Sequence, residues 1–130
     1  MLLLSIRTDK PEAEIGLFDN HAKITYETWQ AHRELSDTIH LKIEELLKQQ
    51  GKTWQDIQGI VGFQGPGSFT GLRIGLTVAN ALAYGLHVPV VAEQGEDWTT
   101  KGIKQLLAGE HDPLALPEYG AAAHITLPKK

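Results

Sequence analysis

Cysteine is absent from the 130 residues, which excludes disulfides and every thiolate-based metal site. A surplus of positive charge is missing as well. Twelve Lys and Arg stand against 16 Asp and Glu, a formal net charge of −4, so the basic face of a chain that grips nucleic acid unaided is not expected. The longest apolar stretch, Leu72 to Leu86, is broken by Asn80 and Tyr84 and is shorter than the roughly 20 residues a bilayer demands. The opening MLLLSIR has neither the basic region nor the extended apolar stretch of a secretory leader, so no membrane partner and a cytoplasmic location are expected. The six histidines include no i, i+4 pair with an intervening Glu, and neither a metal nor a cofactor is expected.

What remains is one domain's worth of strands and helices. Residues 2 to 6, 13 to 19 and 22 to 29 read as three strands, with Asp19-Asn20 as a tight turn that makes an antiparallel meander. From Ala31 to Gln50 the period changes: Leu35, Ile39, Ile43, Leu46 and Leu47 recur at helical spacing, and Gly51 is a C-terminal stop. Leu41 falls off that stripe and is expected to point outward. Residues 57 to 63 read as a strand, 69 to 86 as a second helix, 87 to 92 as a further strand and 99 to 108 as a last helix. The order βββαβαβ predicts a mixed α/β sheet with packed helices, the ribonuclease H-like half of an actin-type ATPase fold. Residues 1–93 form the expected lobe, and 94–130 are expected to supply a short helix and an extended C-terminal strap.

The run GFQGPGSFTGLRIG at 62 to 75 joins the fourth strand to the second helix. It fails the dinucleotide fingerprint, because Thr70 stands where the third Gly is needed. The only Gly-Lys-Thr, at 51 to 53, has Leu46 in place of the first Gly of a phosphate loop. A nucleophile elbow is excluded by Pro66 and Thr70 flanking Ser68. Ser68 is better explained as the cap of the second helix, whose free amides can attract an anion.

On a helical wheel, Thr70, Arg73, Thr77, Asn80 and Tyr84 share one narrow polar sector, while Leu72, Ile74, Leu76, Val78, Leu82 and Leu86 spread over the rest. Gly71, Gly75 and Ala79 form a row of small residues along which another backbone could come close. A helix apolar on most sides must be covered on most sides, so another molecule is expected to share in covering it.

The run Gly65-Pro66-Gly67-Ser68-Phe69-Thr70-Gly71-Leu72-Arg73-Ile74-Gly75, followed by an Ala-rich helix and a Pro-Val-Val strand, closely resembles the signature of the bacterial TsaB (YeaZ) family, over Met1 to about Ala92. The resemblance implies a non-catalytic, actin-like ATPase-type subunit that serves TsaD, the catalytic subunit forming threonylcarbamoyladenosine in tRNA. It further implies a TsaE-like ATPase as a second partner, a possible homodimer, and only indirect contact with tRNA.

By that reading Leu41, Gly71, Arg73, Gly75, Asn80 and Tyr84 meet the partner, while Arg7, Thr8, Gly65, Pro66, Gly67 and Ser68 shape the turn and any phosphate contact; no catalytic or metal residue is assigned. The alternative is a nucleotide-dependent ATPase or transferase acting alone through Arg7, Thr8 and the glycine turn. Two departures stand out. Arg7 occupies the position where members commonly carry Asp in Ile-Asp-Thr, and Leu35-Ser36 aligns with their His-Ser or His-Thr pair. The resemblance further implies a shortened member that lacks the family's second lobe and kept a Pro-x-Tyr ending.

Overall fold

The computed structural model describes residues 1–31, 35–66, 69–112 and 115–116. Gly67, Ser68, His32 and the strap beyond Leu116 lie outside them, and with them the expected cap and tail. The elements are β1 (Leu2–Arg7), β2 (Glu12–Asp19), β3 (Ala22–Gln30), α1 (Leu35–Gln49), β4 (Gly59–Gly65), α2 (Phe69–Leu86), β5 (Val90–Gln94) and α3 (Trp98–Leu107). A single 3₁₀ turn at Trp54–Asp56 precedes β4.

The five strands form one sheet in the order β3-β2-β1-β4-β5. β2 runs antiparallel to β1 and β3, and β4 runs parallel to β1 and β5. Period-two alternation divides the core. Leu4, Ile6, Ala13, Ile15, Leu17 and Ile60 face α1 and α2, while Leu3, Phe18, Val61, Phe63 and Val91 face the side on which Trp98, Ile103 and Leu106 of α3 pack. The sheet therefore has helices on both faces, as βαβ crossovers require. A boundary at residue 93 would cut through this core, because α3 belongs to it.

α1 buries the stripe read from the sequence: Leu35, Ile39, Ile43, Leu46 and Leu47 are each at most 5% exposed. Each contributes about 2 kcal/mol by burial, which a helix of this length needs, since it is marginal by itself. Leu41, at 59% exposed, points outward as the wheel requires.

The helix ends at Gly51, which takes φ +68 while its N–H and that of Lys52 donate to the Lys48 and Leu47 carbonyls. This is a Schellman stop. α2 ends the same way on His87, at φ 59, with the His87 and Val88 amides donating to Tyr84 and Ala83. A side chain in that conformation is strained. Changing Gly51→Ala is expected to lower stability by about 1 kcal/mol and His87→Gly to raise it by a similar amount, both read from urea midpoints at constant slope.

Two strands begin later than the sequence suggests. Ile57 is buried but sits before the ladder, closing the 3₁₀ turn through its N–H to Trp54 O. His87 finishes the helix and Pro89 has no N–H to donate, so β5 starts at Val90, with Pro89 O accepting from Ile60 N at 3.0 Å.

The cover of α2 differs most from expectation. Leu72, Leu76, Val78, Ala79 and Ala83 are buried, and Ile74, Leu82 and Leu86 are half-buried against the α1-side core. The sheet and α1 thus cover the first five side chains within one chain, while Ile74, Leu82 and Leu86 keep part of their surface open. The exposed arc of α2 is polar or small, comprising Thr70, Arg73, Thr77, Ala81, Tyr84 and Gly85.

Candidate functional site: the glycine turn and the outer helical face

The glycine turn approaches its own chain. Thr8, directly after β1, is 3% exposed, and its Oγ1 donates to Gly71 O at 2.6 Å. A Cβ on Gly71 would lie 2.2 Å from Thr8 O, and one on Gly75 2.1 Å from Thr8 Oγ1. These two glycines were expected to face a partner; their lack of side chains instead lets the β1–β2 loop lie against α2. Asn80 also turns inward, exchanging hydrogen bonds with Ala115 at 2.9 Å and 2.8 Å. Of the six residues assigned to a partner, Leu41, Arg73 and Tyr84 remain exposed.

Gly65, at φ 113, ends β4 and precedes a cis bond to Pro66. Close by, Arg7 is held twice. Its Nε and Nη2 meet the Asp9 carboxylate at 2.7 Å and 3.3 Å, and its guanidinium lies 3.8 Å from the centre of the Phe63 ring. Burial pulls the guanidinium's pKa down, but the hydrogen bond and charge of Asp9, with Glu14 nearby, outweigh it and the net shift is upward. Lys10 is engaged by Glu14 at 3.3 Å.

A cleft of about 220 Å³ opens between this loop and the starts of α1 and α2, lined by Thr8, Lys10, Leu35, Thr70 and Ile74 among others. Its chemical means are modest. The Thr8 hydroxyl hydrogen is committed to a carbonyl, and both basic side chains are neutralised by carboxylates. Among the described residues no group of three or more His, Asp or Glu could hold a metal ion.

Beside Arg7, the Tyr26 hydroxyl donates to Glu14 at 2.6 Å. Burial, then the hydrogen bond and charge of Glu14, push its pKa well above the ordinary 10.0. A folded-state pKa above the unfolded one means that this stability is complete below pH 10 and is lost as pH rises further. In an absorbance titration at fixed temperature, one of the three tyrosines is expected to ionise late, together with unfolding. In Tyr26→Phe the late step disappears.

The sequence missed a shallow groove between the outer sides of α1 and α2. His40, Trp54, Gln55, Ala81, Leu82, Gly85 and Leu86 line about 370 Å³, with the His40 and Trp54 rings 6.3 Å apart. Its available signal was a second small pair, Ala81 and Gly85, at i, i+4 beside Tyr84. A Cβ on Gly85 meets nothing within 4 Å. This small pair is the one that faces outward.

A five-stranded sheet of order 3-2-1-4-5, antiparallel only in its first hairpins and flanked by helices, defines a ribonuclease H-like domain of the actin-type ATPase class. The sequence profile described as "TsaD: tRNA N6-adenosine threonylcarbamoyltransferase" matches residues 29–117. Among curated proteins, the Escherichia coli tRNA threonylcarbamoyladenosine biosynthesis protein TsaB is 30% identical over 120 residues, covering 83% of this chain and 49% of that protein. The tRNA N6-adenosine threonylcarbamoyltransferase of Ralstonia pickettii is 34% identical over 108 residues, covering 71% of this chain and 31% of the relative. The solved structure of YeaZ from Pseudomonas aeruginosa superposes with a TM-score of 0.66 at 26% identity, over 72% of this chain and 43% of that one.

The chain belongs to the family of TsaD and TsaB (YeaZ), on the TsaB/YeaZ side. It spans about a third to a half of the length of these curated relatives. No helix among the described residues is long and apolar enough to cross a membrane.

Proposed function

We propose that this chain is a non-catalytic docking subunit in the formation of threonylcarbamoyladenosine in tRNA. It presents the outer face of α1 and α2 to a TsaD-like catalytic subunit. The carrying observation is that the outer face bears two large exposed side chains, Leu41 at 59% and Tyr84 at 85%, each next in sequence to a residue lining the small-floored groove, His40 and Gly85. Small residues let a partner helix come near, and large side chains at the margins give it area to bury. A TsaE-like ATPase completes the system, tRNA is touched through the partner, and the assembly works in the cytoplasm; a homodimer through the same face is the competing state.

A nucleotide-dependent ATPase or transferase acting alone is the second reading, favoured by the profile match to a transferase family. The pairing of Arg7 with Asp9 and of Lys10 with Glu14 weighs against it, because an incoming phosphate would have to displace both carboxylates.

Co-expression with the host's TsaD, followed by co-elution and measurement of the modified adenosine in tRNA, tests the proposal. A stable complex and restored modification are expected in cells lacking the host's TsaB. ATP turnover by the purified chain alone, without complex formation, would establish the second reading instead.

A further inference from the structure

On the flank of α2 away from the groove, a cavity of about 510 Å³ opens between the last turns of the helix, the start of β5 and residues 111–112. Tyr84, His87, Val88, Pro89, His111 and Asp112 are among its walls, and no Lys or Arg lines it. Two features make it electronegative. The first is Asp112, half-buried, whose carboxylate accepts from Ala92 N at 2.9 Å and has no cation within ion-pair distance among the described residues. Asp9, Glu14, Glu27, Glu44 and Glu93 are half-buried too, and each has a Lys or Arg within 3.8 Å. Glu12, at the start of β2, shares the lack. A partly desolvated carboxylate without a cation is a cost that an incoming positive charge removes.

The second feature is the end of α2. α1 and α3 carry Lys48 and Lys104 in their last turns, whereas α2 has no basic residue there, so its own last turn does not offset the negative end of its dipole. One bond from Ala92 leaves the Asp112 carboxylate further acceptor sites, and the Tyr84 ring, 85% exposed, offers a face to a cation. Guanidinium suits this combination better than ammonium, because its planar fork matches a carboxylate and its face stacks on an aromatic ring.

We propose that this cavity receives an arginine side chain of the docked TsaD-like subunit. The inference rests on the docking reading above, since Tyr84 belongs both to the docking face and to the cavity wall.

The test pairs the complex with a small probe. Asp112→Asn removes the charge while its side-chain oxygen still accepts from Ala92 N, so the variant is expected to melt with the unaltered chain. Its binding to the TsaD-like subunit is expected to be about tenfold weaker at low salt, with the difference shrinking as salt is raised. Equal affinity of the two chains at low salt overturns the proposal.

The probe arm needs no variant. Ethylguanidinium is expected to shift the Tyr84, Val88 and Asp112 amide resonances of the isolated chain saturably, and ethylurea, its neutral analogue, is expected not to. Ethylguanidinium binding no tighter than ethylurea overturns the cation seat, as does inorganic phosphate binding there through the two imidazoles. If the unaltered chain forms no complex, the docking reading falls and the source of the arginine with it, while the probe titration still decides whether the cavity takes a guanidinium.

Discussion

Replacing Gly71 with alanine is expected to lower stability by about 3 kcal/mol, the upper end of the usual cost of overpacking, and the melting temperature by roughly 10 °C. The added Cβ would sit 2.2 Å from the Thr8 carbonyl oxygen and 3.3 Å from its carbon. The obstacle is backbone at the end of the central strand and cannot rotate away. Gly75→Ala meets a different obstacle, the Thr8 side chain, with Oγ1 at 2.1 Å and Cγ2 at 3.0 Å. Combining it with Thr8→Ala removes both atoms, so the double variant is expected to recover much of the loss, whereas Thr8→Ala should rescue Gly71→Ala hardly at all. Thermal melts of the five chains separate the cases. Equal rescue of both glycine variants would mean that Thr8 does not press on α2 through its backbone.

The second large effect is on association. Leu41→Asp and Tyr84→Asp alter side chains that are 59% and 85% exposed, so each is expected to change stability by less than about 0.5 kcal/mol. Each is expected to weaken binding to the TsaD-like subunit by about 2 kcal/mol, roughly thirtyfold, as the loss of a large side chain that becomes buried against a partner does. Gly85→Trp should block the groove outright without harming the fold, because nothing in the chain lies within 4 Å of its Cβ. Titration calorimetry of the three variants, with melting curves alongside, checks the prediction. Weakened binding accompanied by an equal loss of stability would count against a surface role.

Much of the fold was legible because each element carries its own period. The α1 stripe, the exposed Leu41, the meander and the βαβ order follow from local spacing. Strand edges were less legible, since β5 begins only where a left-handed His87 and an amide-less Pro89 permit. The site was harder to read. A wheel locates Gly71 and Gly75 on one side of α2, but which neighbour comes close depends on the β1–β2 loop, 63 residues away along the chain in the Thr8–Gly71 bond. Asn80 was assigned outward for the same reason: its partner, Ala115, is 35 residues on. The pairing of Arg7 with Asp9 spans only two residues and could have been read from the alternation of charge at 7, 9 and 10.

In the proposed docking mode the partner meets the outer arc of α1 and α2, while Gly71 and Gly75 form an internal joint with Thr8. Amide exchange of the chain with and without an equimolar TsaD-like subunit tests this most directly. Slowed exchange is predicted across residues 37–45 and 77–86, with Thr8 and Gly71 already slow in the free chain and unchanged in the complex. Protection confined to the loop at 7–11 and the start of α2, with the outer arc unaffected, would contradict it.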